Sequence, residues 1–231
     1  MDILHVDKYI DAFYDEAWWA QDMMALRGIA EEHYVPIIRP EMEGVLQSLL
    51  LTLQPRKILE IGTGIGFSAT FMARLLPDAQ ITTLELIEKR YMEARTVFSK
   101  YGVEPQIELI TGDASVSLLK LINKESFMKA KSPDDNIDNS DAYDFIFIDS
   151  AKSRYYEFFS MAYRMSKPGT VIVCDNVLLD GRTASDANIH NRRDKTSAKK
   201  MREFVAYVKT FTGARTSLLG IGDGVTVSTV L

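Results

Sequence analysis

Cysteine is almost absent: Cys174 is the single thiol in 231 residues. No disulfide can close within the chain, and the expected setting is a reducing cytoplasm. With three histidines beside that cysteine, there is no Cys/His set of the kind that builds a structural zinc site. No apolar run approaches the roughly 18–20 residues needed to cross a bilayer, so no membrane partner is expected. The opening segment MDILHVDKYIDAFYDE carries charges throughout, and it does not read as a signal peptide. A net charge of -5 argues against indiscriminate binding to nucleic acid, while leaving room for a local basic patch. What is present is core-forming material, 46% hydrophobic and 10% aromatic, which suits a single domain over residues 1–231.

From Lys57 onward, short β-branched runs alternate with amphipathic stretches of helical length. The expected strands are Lys57–Ile61, Gln80–Leu84, Gln106–Ile110, Tyr143–Ile148 and Thr170–Cys174. Helices are expected at Phe67–Leu76, Glu88–Tyr101, Tyr155–Ser166 and Thr196–Phe211. Strands separated by helices imply a parallel sheet with right-handed crossovers. Their nearly continuous apolar character agrees, because parallel strands are buried on both faces. The end breaks the rhythm: Thr216–Leu219 and Val225–Leu231 are separated only by Gly-Ile-Gly-Asp-Gly, too short for a crossover and suited to a hairpin. The fold class is therefore α/β and Rossmann-like, a seven-stranded, mostly parallel sheet closed by an antiparallel hairpin, which resembles the class I methyltransferase fold. Residues 1–55, with Trp18, Trp19, Met23, Met24 and Leu26, read as an N-terminal helical cap on a core at 56–231. The polar stretch Ser126–Asp141 reads as a surface loop, with no chemistry assigned.

Ligands of open α/β sheets bind beyond the carboxyl ends of the strands. The first strand ends in Glu60-Ile-Gly-Thr-Gly-Ile-Gly-Phe-Ser68, whose glycines allow a sharp turn and close backbone approach. The spacing is G-x-G-x-G rather than the dinucleotide G-x-G-x-x-G, which disfavours a pyrophosphate cradle. Glu60, Gly62, Thr63 and Gly64 are accordingly assigned to cofactor binding. Glu85, about 20 residues beyond the loop at the end of the second strand, is placed to accept ribose hydroxyls. Asp113 is placed to accept from an adenine amino group, with Ala114 keeping the adjoining wall small. Ribose and adenine recognition without a phosphate motif points to S-adenosyl-L-methionine (SAM).

The fourth strand stops at Asp149-Ser-Ala-Lys152 and the fifth at Asp175-Asn176. If these strands are neighbours, Asp149, Asp175 and Asn176 present oxygen ligands at one sheet edge, suited to Mg²⁺, Mn²⁺ or Ca²⁺. Lys152 lies one turn past Asp149. A nearby divalent cation would disfavour its ammonium form, which suits a general base.

In their order, EIGTGIGFS, Glu85, GDA, FIDSAK and DN resemble the cation-dependent O-methyltransferases of the catechol and caffeoyl-CoA type. That resemblance implies Mg²⁺ on Asp149, Asp175 and Asn176, Asp149 also beside the cofactor, Lys152 as base, Ile38 and Ser68 along the methionine part of SAM, and a homodimer. Within the family, AEEHYVPII at Ala30–Ile38, the DNVL start of the loop at Asp175–Leu178 and the GDG close at Gly222–Gly224 are similar to the bacterial tRNA 5-hydroxyuridine methyltransferases. The implied reaction moves the sulfonium methyl in line to an oxygen whose proton Lys152 takes.

Six cations, Arg192, Arg193, Lys195, Lys199, Lys200 and Arg202, fall within eleven residues, with Arg182 in the preceding loop. They are candidate phosphate contacts for the anticodon stem-loop of a tRNA, with 5-methoxyuridine as the wobble-position product. A small catechol-type acceptor using the same catalytic residues is the alternative. An oxidoreductase or silent nucleotide-binding module would show neither metal dependence nor methyl transfer.

Overall fold

The computed structural model describes residues 8–9, 12–14, 23–122 and 141–231. Among the described residues, α1 (Met24–Glu32) and α2 (Pro40–Leu53) lead into the sheet. Pro40 opens α2 in the first turn, where its missing N–H costs no hydrogen bond. Then follow β1 (Lys57–Ile61), α3 (Phe67–Leu75), β2 (Gln80–Glu85), α4 (Glu88–Lys100), β3 (Ile107–Thr111), α5 (Ala114–Ile122), β4 (Tyr143–Ile148), α6 (Tyr155–Arg164), β5 (Ser166–Cys174), α7 (Arg192–Thr210), β6 (Ala214–Leu219) and β7 (Val225–Val230).

The strands form one seven-stranded sheet in the order β3-β2-β1-β4-β5-β7-β6. β1 to β5 pair in parallel, and β7 enters antiparallel between β5 and β6. The chain leaves β1 in one direction to β2 and returns to β4 on the other side. The crevice between β1 and β4 is therefore the topological switch point, where such sheets take their ligands.

Side-chain alternation divides the core in two. Ile58, Phe145, Phe147, Val171 and Val173 pack on one face with Leu26, Met42, Leu46 and Leu50 of the two N-terminal helices. Leu59, Ile61, Ile146, Ile148, Ile172 and Cys174 pack on the other with α5, α6 and α7. Each such side chain, taken fully out of water, contributes about 1.5–3 kcal/mol. Burial also pushes the Cys174 thiol up to about 12, so the lone cysteine is a core residue rather than a nucleophile. No described helix is long and apolar enough to cross a membrane.

Most element ends fall within two residues of the sequence expectation, and the larger departures are at α5, β5 and α7. Helix α5 is not among the expected helices; it buries Leu118, Leu121 and Ile122 along one face, and Asp113 caps it by accepting the Ser115 N–H at 2.9 Å. Strand β5 begins at Ser166 rather than Thr170, and a register shift opposite Tyr143–Phe145 absorbs the extra residues. Helix α7 begins at Arg192 rather than Thr196, because the Asn191 side chain accepts the Asp194 N–H at 2.9 Å. Of the polar stretch Ser126–Asp141, only Asp141 is among the described residues, and Trp18 and Trp19 lie outside them.

Candidate active site

The ladders of the central strands continue one step past their ends and fix the loops beyond. Asp149 N donates to Ile61 O and Asp175 N to Ile148 O, both at 3.0 Å, while Gly62 N and Thr63 N both donate to Leu84 O, at 3.0 and 3.1 Å. These loops open onto a cavity of about 990 Å³. Ile38, Gly62, Thr63, Gly64, Ser68, Glu85, Asp149 and Lys152 all line it, together with Arg192 and Arg193 from the start of α7. The topology thus brings the glycine loop, the end of β2 and the end of β4 to one space.

Glu85 is held at that wall by the protein itself. One carboxylate oxygen accepts the Gly64 N–H at 2.8 Å, and the other accepts Leu86 N–H at 2.9 Å and Ile87 N–H at 2.8 Å. The backbone bonds aim it without exhausting its acceptor capacity, since a carboxylate offers about four lone-pair sites.

Glu60 departs from its assignment to the cofactor. It is fully buried beneath the loop, and its carboxylate accepts from the Ser68 and Thr83 hydroxyls. Thr83 in turn lies 2.6 Å from the Thr63 hydroxyl. Glu60 therefore braces the glycine loop from below instead of facing the cavity. Burial, reinforced by the charges of Asp149 and Glu85 against its hydroxyl bonds, pushes it up to about 7. A carboxyl that ionises harder in the fold than in the unfolded chain stabilises least at high pH. The folded protein's advantage is full below the ordinary carboxylate range and is lost as pH rises through about 7. Glu60→Gln should therefore raise the thermal midpoint above wild type, by an amount that grows from pH 5 to pH 8 and then levels, corresponding to about 3 kcal/mol. Parallel unfolding curves for both proteins at each pH check this; a gap independent of pH would refute it.

Asp113 and Ala114 stand just past the end of β3. Neither lines the cavity. Ala114 opens α5, and Asp113 is engaged by Arg154, whose Nη1 donates to its Oδ2 at 2.8 Å. That bond holds the Asp113 carboxyl below the usual range. Arg154 also donates through Nε to Glu157 at 2.9 Å, so Asp113 sits in a charge network beside the site.

The chemical end is compact. Lys152 Nζ donates to Asp149 Oδ1 at 2.6 Å, Asn176 Oδ1 at 2.7 Å and the Tyr155 hydroxyl at 2.9 Å. An ammonium has three hydrogens, and here each has an oxygen acceptor. Asp175 is buried next to Asp149, and burial, then the Asp149 charge, pushes it up to about 7. Tyr155 is the residue that sequence reading missed. It is buried, and its hydroxyl donates to Asp175 O at 2.8 Å while accepting from Lys152. Burial and the Asp149 charge keep the phenol well above its usual range, so it remains a neutral donor. Its signal was its spacing: three residues past Lys152, it lies one helical turn away.

The donor set fits a hard divalent cation. Among the described residues no group of three His, Cys, Asp or Glu could hold a metal; the set is instead two carboxylates and an amide. Lys152 Nζ already draws Asp149 Oδ1 and Asn176 Oδ1 around one positive centre. A divalent ion there would relieve the repulsion between Asp149 and Asp175, and all-oxygen ligation suits Mg²⁺ or Mn²⁺.

The basic segment does not form one continuous patch. Arg182 is spent on Asp180 at 3.1 Å and Asp194 at 3.0 Å, and Arg202 on Asp186 and the carbonyls of Arg182 and Thr183. Lys199 and Lys200 both pair with Glu203. Lys195 is exposed. Arg192 and Arg193 are the two that reach the cavity wall.

A model of the O-methyltransferase family matches residues 19–230. The chain belongs to that family. It is 33% identical over 186 residues to a catechol O-methyltransferase of Niastella koreensis, covering 78% of this chain and 76% of the relative. A Staphylococcus aureus structure, provisionally assigned as a caffeoyl-CoA O-methyltransferase, superposes with a TM-score of 0.82 at 26% identity, over 99% of this chain and all of that one. The Bacillus cereus O-methyltransferase solved with SAH (S-adenosylhomocysteine) gives a TM-score of 0.76 at 26% identity, over 98% and 97% of the two chains. This chain is accordingly a SAM-dependent O-methyltransferase of the type that includes the catechol and caffeoyl-CoA enzymes.

Proposed function

We propose that this O-methyltransferase methylates an acceptor carrying two adjacent oxygens, in the manner of a catechol. The observation that carries the reading is the convergence of Asp149 Oδ1 and Asn176 Oδ1 on Lys152 Nζ, with Asp149 and Lys152 lining the cavity that Glu85 and the glycine loop also line. Glu85 would accept the ribose hydroxyls of SAM, with Gly62, Thr63 and Gly64 on the cavity wall beside it. Asp149, Asp175 and Asn176 would hold a divalent cation, whose charge would make the acceptor hydroxyl more acidic. Lys152 Nζ, once its own ammonium proton has been lost to solvent, takes the hydroxyl proton as the methyl carbon leaves sulfur and bonds to oxygen, releasing SAH. Tyr155 keeps Nζ aimed during this transfer.

A second reading is 5-hydroxyuridine in tRNA, whose 5-hydroxyl and O4 also form an adjacent oxygen pair. Arg192 and Arg193 on the cavity wall favour it, since a polynucleotide brings phosphates to the mouth of the site. Methyl transfer from labelled SAM should be measured with a catechol and with tRNA containing 5-hydroxyuridine, each with Mg²⁺ and at two salt concentrations. Transfer to neither acceptor would refute the proposed chemistry. If tRNA is the acceptor, the double variant Arg192→Glu/Arg193→Glu should lower the ratio of tRNA to catechol turnover by about tenfold. An unchanged ratio would remove the tRNA reading.

A further inference from the structure

Because β7 runs antiparallel to β5, its first residues lie beside the C-terminal end of β5, where the loop carrying Asn176 begins. A parallel strand would bring its other end there. The turn before β7 thus lands on the loop. Gly224 O accepts the Val177 N–H at 2.9 Å, and Asp223 O accepts the Leu178 N–H at 2.8 Å. The Asp223 side chain completes the clamp, its Oδ1 accepting the Asp180 N–H at 2.6 Å.

The loop held this way is one that would not hold itself. Asn176, Leu179 and Asp180 are left-handed, with φ of 55°, 53° and 52°. A left-handed backbone is tolerated by Asn and Asp but is unfavourable for Leu. Several such residues in one short loop persist only where the surroundings over-determine them. The packing is close as well as bonded, since a Cβ on Gly224 would lie 2.3 Å from Leu178 Cγ. Asn176 opens this loop, and its Oδ1 is one of the oxygens around Lys152 Nζ.

We infer that Asp223 is a positioning residue for the candidate cation site: it holds the loop from Asn176 to Asp180 so that Asn176 Oδ1 stays beside Asp149 Oδ1. The inference rests on the cation reading proposed above. Asp223 touches neither cofactor nor acceptor in this scheme and acts through Asn176. Its carboxylate also adds negative charge near the site, and two substitutions separate the effects. Asp223→Asn keeps the acceptor oxygen and removes the charge, whereas Asp223→Ala removes both.

The test is Mn²⁺ binding to the full chain, read from the electron paramagnetic resonance signal of the free ion, with SAH binding by calorimetry in parallel. Asp223→Ala should weaken Mn²⁺ binding by about tenfold or more, and Asp223→Asn by less than about threefold. SAH affinity should be the same in all three proteins, because Glu85 is held by the Gly64, Leu86 and Ile87 N–H groups, none of which the Asp223 side chain bonds. Wild-type Mn²⁺ affinity in Asp223→Ala would overturn the inference. So would an Asn variant as weak as the Ala variant, which would make the effect one of charge, or an equal loss of SAH and Mn²⁺, which would make it general damage to the fold. A wild-type chain that binds SAH but no Mn²⁺ would overturn the cation reading and this inference with it. One that binds neither would overturn the methyltransferase scheme as a whole.

Discussion

Replacing Lys152 by alanine is expected to lower kcat by about a thousandfold, the scale of a lost general base, while SAH affinity stays nearly unchanged. The expectation follows from where Nζ sits. It is bonded to Asp149 Oδ1 and Asn176 Oδ1, the oxygens proposed to orient the acceptor, and the buried Tyr155 hydroxyl aims it. Alanine removes the proton acceptor but leaves Glu85 and its three backbone bonds intact, so cofactor binding has no reason to fail. Lys152→Arg sharpens the test. A guanidinium keeps the positive charge but does not give up a proton near neutral pH, so it should not restore turnover. Steady-state rates with SAM and whichever acceptor is used, beside SAH calorimetry, decide the matter. Substantial kcat in either variant would end the assignment of Lys152 as base.

Gly62→Ala should be the most damaging single methyl group in the molecule. Gly62 has φ of +113°, and a Cβ there would lie 1.9 Å from the Asp149 carbonyl oxygen and 2.8 Å from its carbon. Both atoms are backbone, pinned because Asp149 N donates to Ile61 O. No rotamer can relieve the clash, so either the glycine loop or the end of β4 must move. The combined conformational and steric cost is about 2–6 kcal/mol. Gly112→Ala is the natural control. Its φ of +118° is nearly the same, yet nothing lies within 4 Å of the added Cβ, so it carries the conformational cost alone. Chemical denaturation should show Gly62→Ala less stable than Gly112→Ala by about 1–3 kcal/mol, the steric part. SAH binding should fail only in the former. Equal losses would mean that the contact between the β1 and β4 loops is not what requires glycine at position 62.

Much of this site was legible because its parts stand at strand ends. Periodicity located β1 and β4 to the residue, and the acids that follow β2, β4 and β5 then had to share one edge of a parallel sheet. Legibility failed where a side chain's partner comes from a distant segment. Glu60 reads as a cofactor contact because it borders the glycine loop, yet its Cα partner across the ladder is Thr83, whose hydroxyl claims the carboxylate. Asp113 reads as an adenine acceptor, and nothing near it in sequence shows that Arg154, from the turn before α6, also bonds its carboxylate. The basic run beginning at Arg192 reads as a set of phosphate contacts, but acids on its own helix and on the preceding loop pair with Arg182, Lys199, Lys200 and Arg202, while Arg192 and Arg193 reach the cavity.

By itself, the sequence determined the α/β class, the alternation that buries both faces of the sheet, the glycine turn and the chemical types at each strand end. These are local properties of backbone and hydropathy. Tertiary structure alone decided which polar groups remain for ligands and which are consumed by each other. A hydrogen bond or ion pair saturates a side chain only when a specific partner is within about 3 Å, and that partner can lie anywhere in the chain. The same reason puts Tyr155 behind Lys152 and Asp223 over the Asn176 loop, two placements made by packing and by the inversion of β7 rather than by spacing.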